Sequence, residues 1–250
     1  MAGLVDVGGT DIWLDDRPGA DPPVVLVHAG WAASATWDGV VDRLAGTYRT
    51  VRYDNRAYGQ SPPPVSVFTW RADLLAVLDH LSLDRVVLVG HSGGGAAALS
   101  LALDRPDRTD RIVLIAPGVD GYPWPATDYG PRFMALYEAG DRAGLVDLGL
   151  RTWAAADPGP AARALIEDSV DAMLAIGEYQ QADPPIFERL GEIATSTRLL
   201  LGDRDDPMVI DCVHAVTAAL PDATLTVVPG ADHLLPSSHP ELVVEAINSP

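Results

Sequence analysis

Six short, predominantly apolar runs constrain this chain more than any other feature: residues 24–27, 50–53, 86–89, 112–116, 198–201 and 224–228. They are too short for buried helices and suit strands covered on both faces, the environment of a parallel sheet. The segments between them carry helical spacing. Leu74, Leu75, Leu78 and Leu81 share one face of 70–81, and 94–103, 208–220 and 240–247 are further helix candidates. A short hairpin, 4–7 and 10–14 about Gly8-Gly9, precedes the series. Strands alternating with helices define an α/β fold class, a mostly parallel central sheet flanked by helices on both sides.

The alternation stops between 119 and 194. Three helix candidates, 131–139, 142–155 and 160–176, fill that stretch without a convincing strand. The expected organisation is a core formed by 1–118 and 195–250, interrupted by a helical insertion, 119–194. Most apolar residues of the insertion are expected to form its own small core. Others are available to face the sheet and line a pocket.

Acidic residues number 35 against 17 basic ones, a formal charge of −18, and every base is an arginine. Such a field repels phosphate backbones and anionic lipid headgroups, so neither nucleic acid nor a membrane surface is an expected partner. A single cysteine, Cys212, excludes an intramolecular disulfide and a cysteine cage for zinc. No run approaches the ~20 apolar residues of a spanning helix. The first residues also lack the basic and apolar regions of a secretory leader. The expectation is a soluble cytoplasmic protein, monomeric or homodimeric.

The strongest chemical signal is Gly90-His91-Ser92-Gly93-Gly94, between the run at 86–89 and an Ala-rich helical segment. A G-x-S-x-G pattern between strand and helix describes a nucleophile elbow. The turn is so sharp that the residues two positions on either side of the serine must be small, here Gly90 and Gly94. The hydroxyl then projects above the sheet edge, beside backbone amides at a helix N-terminus that favour an anion. Phosphate-binding alternatives fail. A Walker lysine is impossible without lysine, and the glycines do not space as a dinucleotide fingerprint requires.

A serine hydroxyl needs a base, and the base an orienting carboxylate. Among six histidines, His80 and His214 fall inside helical patterns, His91 sits within the elbow, and His239 suits a helix entry. His233 follows the last strand run in a turn, where a base can reach the serine. The run at 198–201 ends in Asp203, Asp205 and Asp206. Asp206, before Pro207, suits a helix cap, and an orienting acid can come from the same cluster.

In the order serine, acid, histidine, the chain resembles the α/β-hydrolase superfamily over essentially its whole length. Gly202-x-x-Asp205 is similar to the family's acid motif, which selects Asp205, and Gly230-x-x-His233 to its histidine motif. His28-Ala29-Gly30-Trp31 resembles the loop after the family's third strand, with alanine where glycine is usual. Asp54-Asn55-Arg56-Ala57-Tyr58-Gly59-Gln60-Ser61 resembles its D-x-R-G-x-G-x-S loop, again with one alanine for glycine. The resemblance implies an α/β-hydrolase fold with a small helical cap at 119–194. It implies Ser92 as nucleophile, His233 as base, Asp205 as orienting acid, and the amides of Gly93 and Gly30, or Trp31, as oxyanion hole. His28 and Arg56 are expected to brace their loops.

The implied chemistry is acyl transfer to water, which needs no metal or organic cofactor. Serine at position 92 separates the chain from the aspartate-nucleophile dehalogenases and epoxide hydrolases of the superfamily. The opening most resembles its enol-lactonase and small carboxylesterase members. Trp31, Trp124, Phe133, Met134, Tyr137 and Met173 are expected to wall a pocket for a small, largely apolar ester or lactone. The alternatives are C–C hydrolases, perhydrolase-type haloperoxidases, a ligand receptor with an intact triad, or a biosynthetic cyclase or decarboxylase reusing the pocket.

Overall fold

The structure is a computed structural model and describes residues 1–249. In chain order the elements are β1 (Ala2–Asp6), β2 (Asp11–Arg17), β3 (Ala20–Val27), α1 (Asp38–Leu44), β4 (Tyr48–Tyr53), α2 (Trp70–His80), β5 (Val86–His91) and α3 (Gly93–Asp104). There follow β6 (Thr109–Ile115), α4 (Tyr129–Glu138), α5 (Arg142–Trp153), α6 (Pro160–Ile176), β7 (Thr197–Gly202), α7 (Pro207–Ala219), β8 (Ala223–Val228), α8 (Leu235–Ser238) and α9 (Pro240–Asn248). The eight strands form one sheet in the order β1-β2-β4-β3-β5-β6-β7-β8. The β1–β2 and β2–β4 pairs are antiparallel and the rest parallel.

All six apolar runs lie within or overlap strands, and the period of two explains the two cores. Val25, Val27, Leu88, Leu114, Leu199 and Leu201 point to one face, with residues of α2, α3 and α7. Val24, Leu26, Val87, Val89, Val113, Ile115 and Leu200 point to the other, with α1 and α9. This is an α/β arrangement covered on both sides.

Two segments differ from the sequence expectation. Residues 15–23 read as a Pro/Gly/Asp loop, yet β2 runs on to Arg17 and β3 begins at Ala20. Ion pairs across and along the strands keep this polar stretch extended. Asp16 takes both hydrogen bonds of a forked Arg49 (3.0 and 2.8 Å), and Asp15 accepts from Arg17 at 2.9 Å. The short helix α1 also went without a sequence signal, because its seven residues give barely two turns of periodicity.

Between β6 and β7 the described residues contain no strand. They contain α4, α5, α6 and two 3-10 turns. The far end of this insertion is tied back to the core. Phe68 N–H donates to the Tyr179 carbonyl at 3.0 Å and Gln181 N–H to the Phe68 carbonyl at 2.8 Å. No helix among the described residues is long and apolar enough to cross a membrane.

Candidate active site

Ser92 stands between β5 and α3 at φ 52° and ψ −116°. This left-handed region is one a side chain enters only under constraint. Four backbone bonds hold it there. Its N–H donates to Ile115 O at 3.0 Å, and its carbonyl accepts from Gly95 (2.9 Å), Ala96 (3.2 Å) and Gly118 (3.0 Å). The glycines are steric necessities. A Cβ at Gly90 would lie 2.6 Å from the Gly94 carbonyl oxygen, and one at Gly94 would lie 2.3 Å from that of Val27. Because Gly93 opens α3, its N–H has no acceptor within the helix.

The loop after β3 lies across from this turn. His28 is buried. Its Nδ1–H donates to the Ala29 carbonyl at 2.8 Å, and its Nε2 accepts from the Asn55 N–H at 2.9 Å. Burial lowers its pKa, which keeps the imidazole neutral as those bonds require. The Tyr58 hydroxyl donates to the Gly30 carbonyl at 3.0 Å, so that the Gly30 peptide is tethered from its oxygen side. Arg56 forms a buried two-pronged pair with Asp73 (2.8 and 2.7 Å) and lies over the Phe68 ring at 4.7 Å. His28 and Arg56 thus brace loops. Ala57, in a glycine position of the family loop, adopts φ 72°.

The three aspartates after β7 divide their work. Asp203 accepts from the Gly230 N–H at 2.6 Å, and Asp206 caps α7 by accepting from Met208 N–H at 3.0 Å. Asp205 is buried and accepts from His233 Nδ1 at 2.8 Å. A carboxylate only accepts, so Nδ1 carries the ring proton and Nε2 presents its lone pair. That Nε2 is buried without a hydrogen-bond partner. The structure therefore joins Asp205 to His233, and forms no hydrogen bond between His233 and Ser92. The His233 ring lies between those of His91, centroid 4.9 Å away, and Trp153, 4.7 Å away. Burial first, and then His233, hold the His91 pKa well below its ordinary value.

A cavity of about 1030 Å³ opens above Ser92. Gly30, Trp31, Gly93, Trp124, Phe133, Tyr137 and Met173 line it. Met134 does not. It is 47% exposed and faces away, because Phe133 and Tyr137 share a helix face at i and i+4 while position 134 is turned about 100° from Phe133. Sequence reasoning missed Tyr58, Trp70, Tyr129 and Trp153, which also line the cavity. Trp153 reads as core of the insertion, yet it bridges Trp31 (6.3 Å), Tyr129 (5.4 Å) and His233. Burial pushes the Tyr129 hydroxyl up to about 12. Asp120 and Asp183 supply the acid on the wall, and burial, then Asp183, raises the Asp120 carboxyl to about 6. Among the described residues no three His, Cys, Asp or Glu side chains gather as a metal cage would require.

An open, mostly parallel sheet of this strand order, with a serine on a strained strand-to-helix turn, defines the α/β-hydrolase class of folds. The chain belongs to the alpha/beta hydrolase family, whose model matches residues 24–246. It is 39% identical over 132 residues to the 2-hydroxy-6-oxo-2,4-heptadienoate hydrolase of Pseudomonas putida, covering 50% of this chain and 47% of that protein. Curated relatives of this kind align over less than half of their own length. Among solved structures, Est816, described as an N-acyl homoserine lactone degrading enzyme, superimposes with TM-score 0.81 at 24% identity, covering 98% of both chains. The enol-lactonase from Burkholderia xenovorans LB400 superimposes with TM-score 0.78 at 20% identity, covering 99% of this chain and 100% of that one.

Proposed function

We propose that the protein is a serine hydrolase that cleaves a small, largely apolar ester or lactone through an acyl-enzyme. One observation carries this reading. A buried imidazole has its Nδ1 engaged by Asp205 and its Nε2 unpartnered. It sits in the loop after β8, at the same carboxyl edge of the parallel strands as Ser92.

The steps follow from those atoms. Nε2 of His233 takes the Ser92 proton as Oγ bonds to the substrate carbonyl carbon. The carbonyl electron pair moves to oxygen, facing the Gly93 amide and the Gly30 or Trp31 amide. In measured systems one such donor is worth about 3–4 kcal/mol. Asp205 holds the ring tautomer and stabilises the imidazolium. The proton passes to the leaving alkoxide as the C–O bond breaks. Water, deprotonated by His233, then attacks the acyl carbon and releases Ser92.

The wall chemistry bears on the substrate. Among the described residues no arginine or histidine lines the cavity, whereas Asp120 and Asp183 do. This favours a neutral carbonyl compound over an anion such as the dienoate in the name of the Pseudomonas relative. The aromatic wall suits an apolar acyl or alcohol group.

The test is hydrolysis of p-nitrophenyl butyrate by the wild type and by Ser92→Ala, together with peptide mapping after a fluorophosphonate probe. Expected are Ser92-dependent turnover and labelling at Ser92. Equal rates for both proteins, or labelling elsewhere, refute the reading. Labelling at Ser92 without turnover of any ester or lactone points to a receptor.

A further inference from the structure

Among the buried carboxylates that the acyl-transfer scheme above leaves unused, that of Asp232 stands immediately before His233. Burying a charge is costly unless hydrogen bonds compensate it. Here the compensation comes from backbone amides on two separate segments. Oδ1 accepts from the Leu234 N–H at 3.0 Å, closing a turn around His233 itself. Oδ2 accepts from the Ala156 N–H at 2.9 Å, just past the end of α5 and 76 positions away in the chain.

The second bond falls on a telling segment. Trp153 ends α5, three residues before Ala156, and its ring lies 4.7 Å from the His233 imidazole. The carboxylate bond and the ring contact therefore fasten the same turn of the insertion to two adjacent residues, Asp232 and His233. An asparagine could not do both tasks, because its one carbonyl oxygen would satisfy one amide while its NH2 group faced the other N–H.

We propose that Asp232 is a positioning residue that holds His233 in register with Ser92 by latching the inserted helices onto the histidine loop. The base is aligned while the 153–156 turn is seated, and it loses its lateral support when that turn lifts. The proposal rests on the hydrolase reading for its kinetic consequence, and on geometry alone for the latch.

The test compares Asp232→Ala and Asp232→Asn with the wild type, using p-nitrophenyl butyrate and rates normalised to fluorophosphonate-titrated sites. Loss of the latch should lower kcat of Asp232→Ala by about tenfold to a hundredfold, the scale of a catalytic group displaced by about 1 Å. KM should change little, and Asp232→Asn should fall between. A role in folding alone would reduce the titratable fraction and leave kcat per site untouched. Amide exchange should accelerate at Ala156 and Leu234, and the His233 ring signals should move in NMR spectra. Should Asp232→Ala fail to fold, Asp232→Asn carries the same comparison. Unchanged kcat per site, a loss confined to KM, or protection retained at Ala156 overturns the proposal. A wild type without Ser92-dependent turnover refutes the hydrolase reading instead, and the latch is then decided by the two amides and the His233 ring signals.

Discussion

Replacing Ser92 by glycine should make the protein more stable than replacing it by alanine, and the size of the gap measures the strain in the turn. At φ 52° and ψ −116° the Cβ, not the hydroxyl, is the offending atom. Alanine keeps that Cβ and glycine removes it. The four backbone bonds that hold position 92 survive in both variants. A residue held in such a region costs about 1–3 kcal/mol, and the extra freedom of glycine in the unfolded chain returns about 0.5–1 kcal/mol. Taking the middle of each range, the net advantage of Ser92→Gly over Ser92→Ala is about 1 kcal/mol, or a few degrees in Tm for a chain of this size. Urea unfolding of the two variants, both without the hydroxyl and so free of any difference in catalysis, reads the gap directly. Equal stabilities at equal m-values, or a less stable glycine variant, would refute the claim that this turn is strained. It would also remove the reason for expecting the serine to stand proud of the sheet.

Other consequences are as direct. Ala57 occupies φ 72° where glycine is the usual family residue, so Ala57→Gly should raise stability by about 1 kcal/mol in chemical denaturation, without altering kcat. Asp120, raised by burial and by Asp183 from 3.8 to about 6, stays protonated in the folded chain across a window in which the unfolded chain ionises. Its ionisation therefore destabilises the fold as pH rises through that window. Asp120→Asn should stabilise by about 1 kcal/mol at pH 8, discounted for partial exposure, and by nothing at pH 3.5. A Cβ at Gly202 would lie 2.3 Å from the Ala231 carbonyl oxygen and 2.8 Å from that of Asp232. Gly202→Ala should thus cost about 2–3 kcal/mol and abolish Ser92-dependent turnover. A variant with wild-type unfolding midpoint and rate would show that the histidine loop does not rest on this glycine.

Much of the fold is legible because burial writes itself into sequence. A strand covered on both faces has no polar positions, so residues 24–27 and 86–89 stand out unaided. Where ion pairs replace burial, the signal vanishes, as at Asp15-Asp16-Arg17, which reads as a loop and pairs as a strand. The site is less legible. G-x-S-x-G is visible because the turn's sterics exclude other residues from Gly90 and Gly94. Which of Asp203, Asp205 and Asp206 meets His233 depends on how two loops cross, so charge and capping alone leave it open, and only the resemblance of Gly202-x-x-Asp205 to the family's acid motif selects Asp205. Trp153 stayed hidden for a related reason. A tryptophan at a helix end looks alike whether it packs inside its own domain or over a histidine from another segment.

The loop crossing has its own arithmetic. Ser92 leaves the end of β5, and His233 comes from β8, three places along the sheet. At about 4.8 Å per strand the gap is about 14 Å. The loop after β8 does not cover this gap by stretching: it turns at once, with Ala231 N–H donating to the Val228 carbonyl at 3.4 Å and Gly230 at φ 81°. The turned loop packs against the end of β7. The Ala231 carbonyl accepts from the Arg204 N–H at 2.9 Å, Gly230 N–H donates to Asp203, and a side chain at Gly202 would strike Ala231. Asp205 stands beside this loop and accepts a hydrogen bond from Nδ1–H of His233. The acid lies between serine and histidine in the chain because its strand lies between theirs in the sheet. His233 lies past this turn, at the end of the loop. Supports outside the sheet, the Asp232 carboxylate and the Trp153 ring, bear on its last residues.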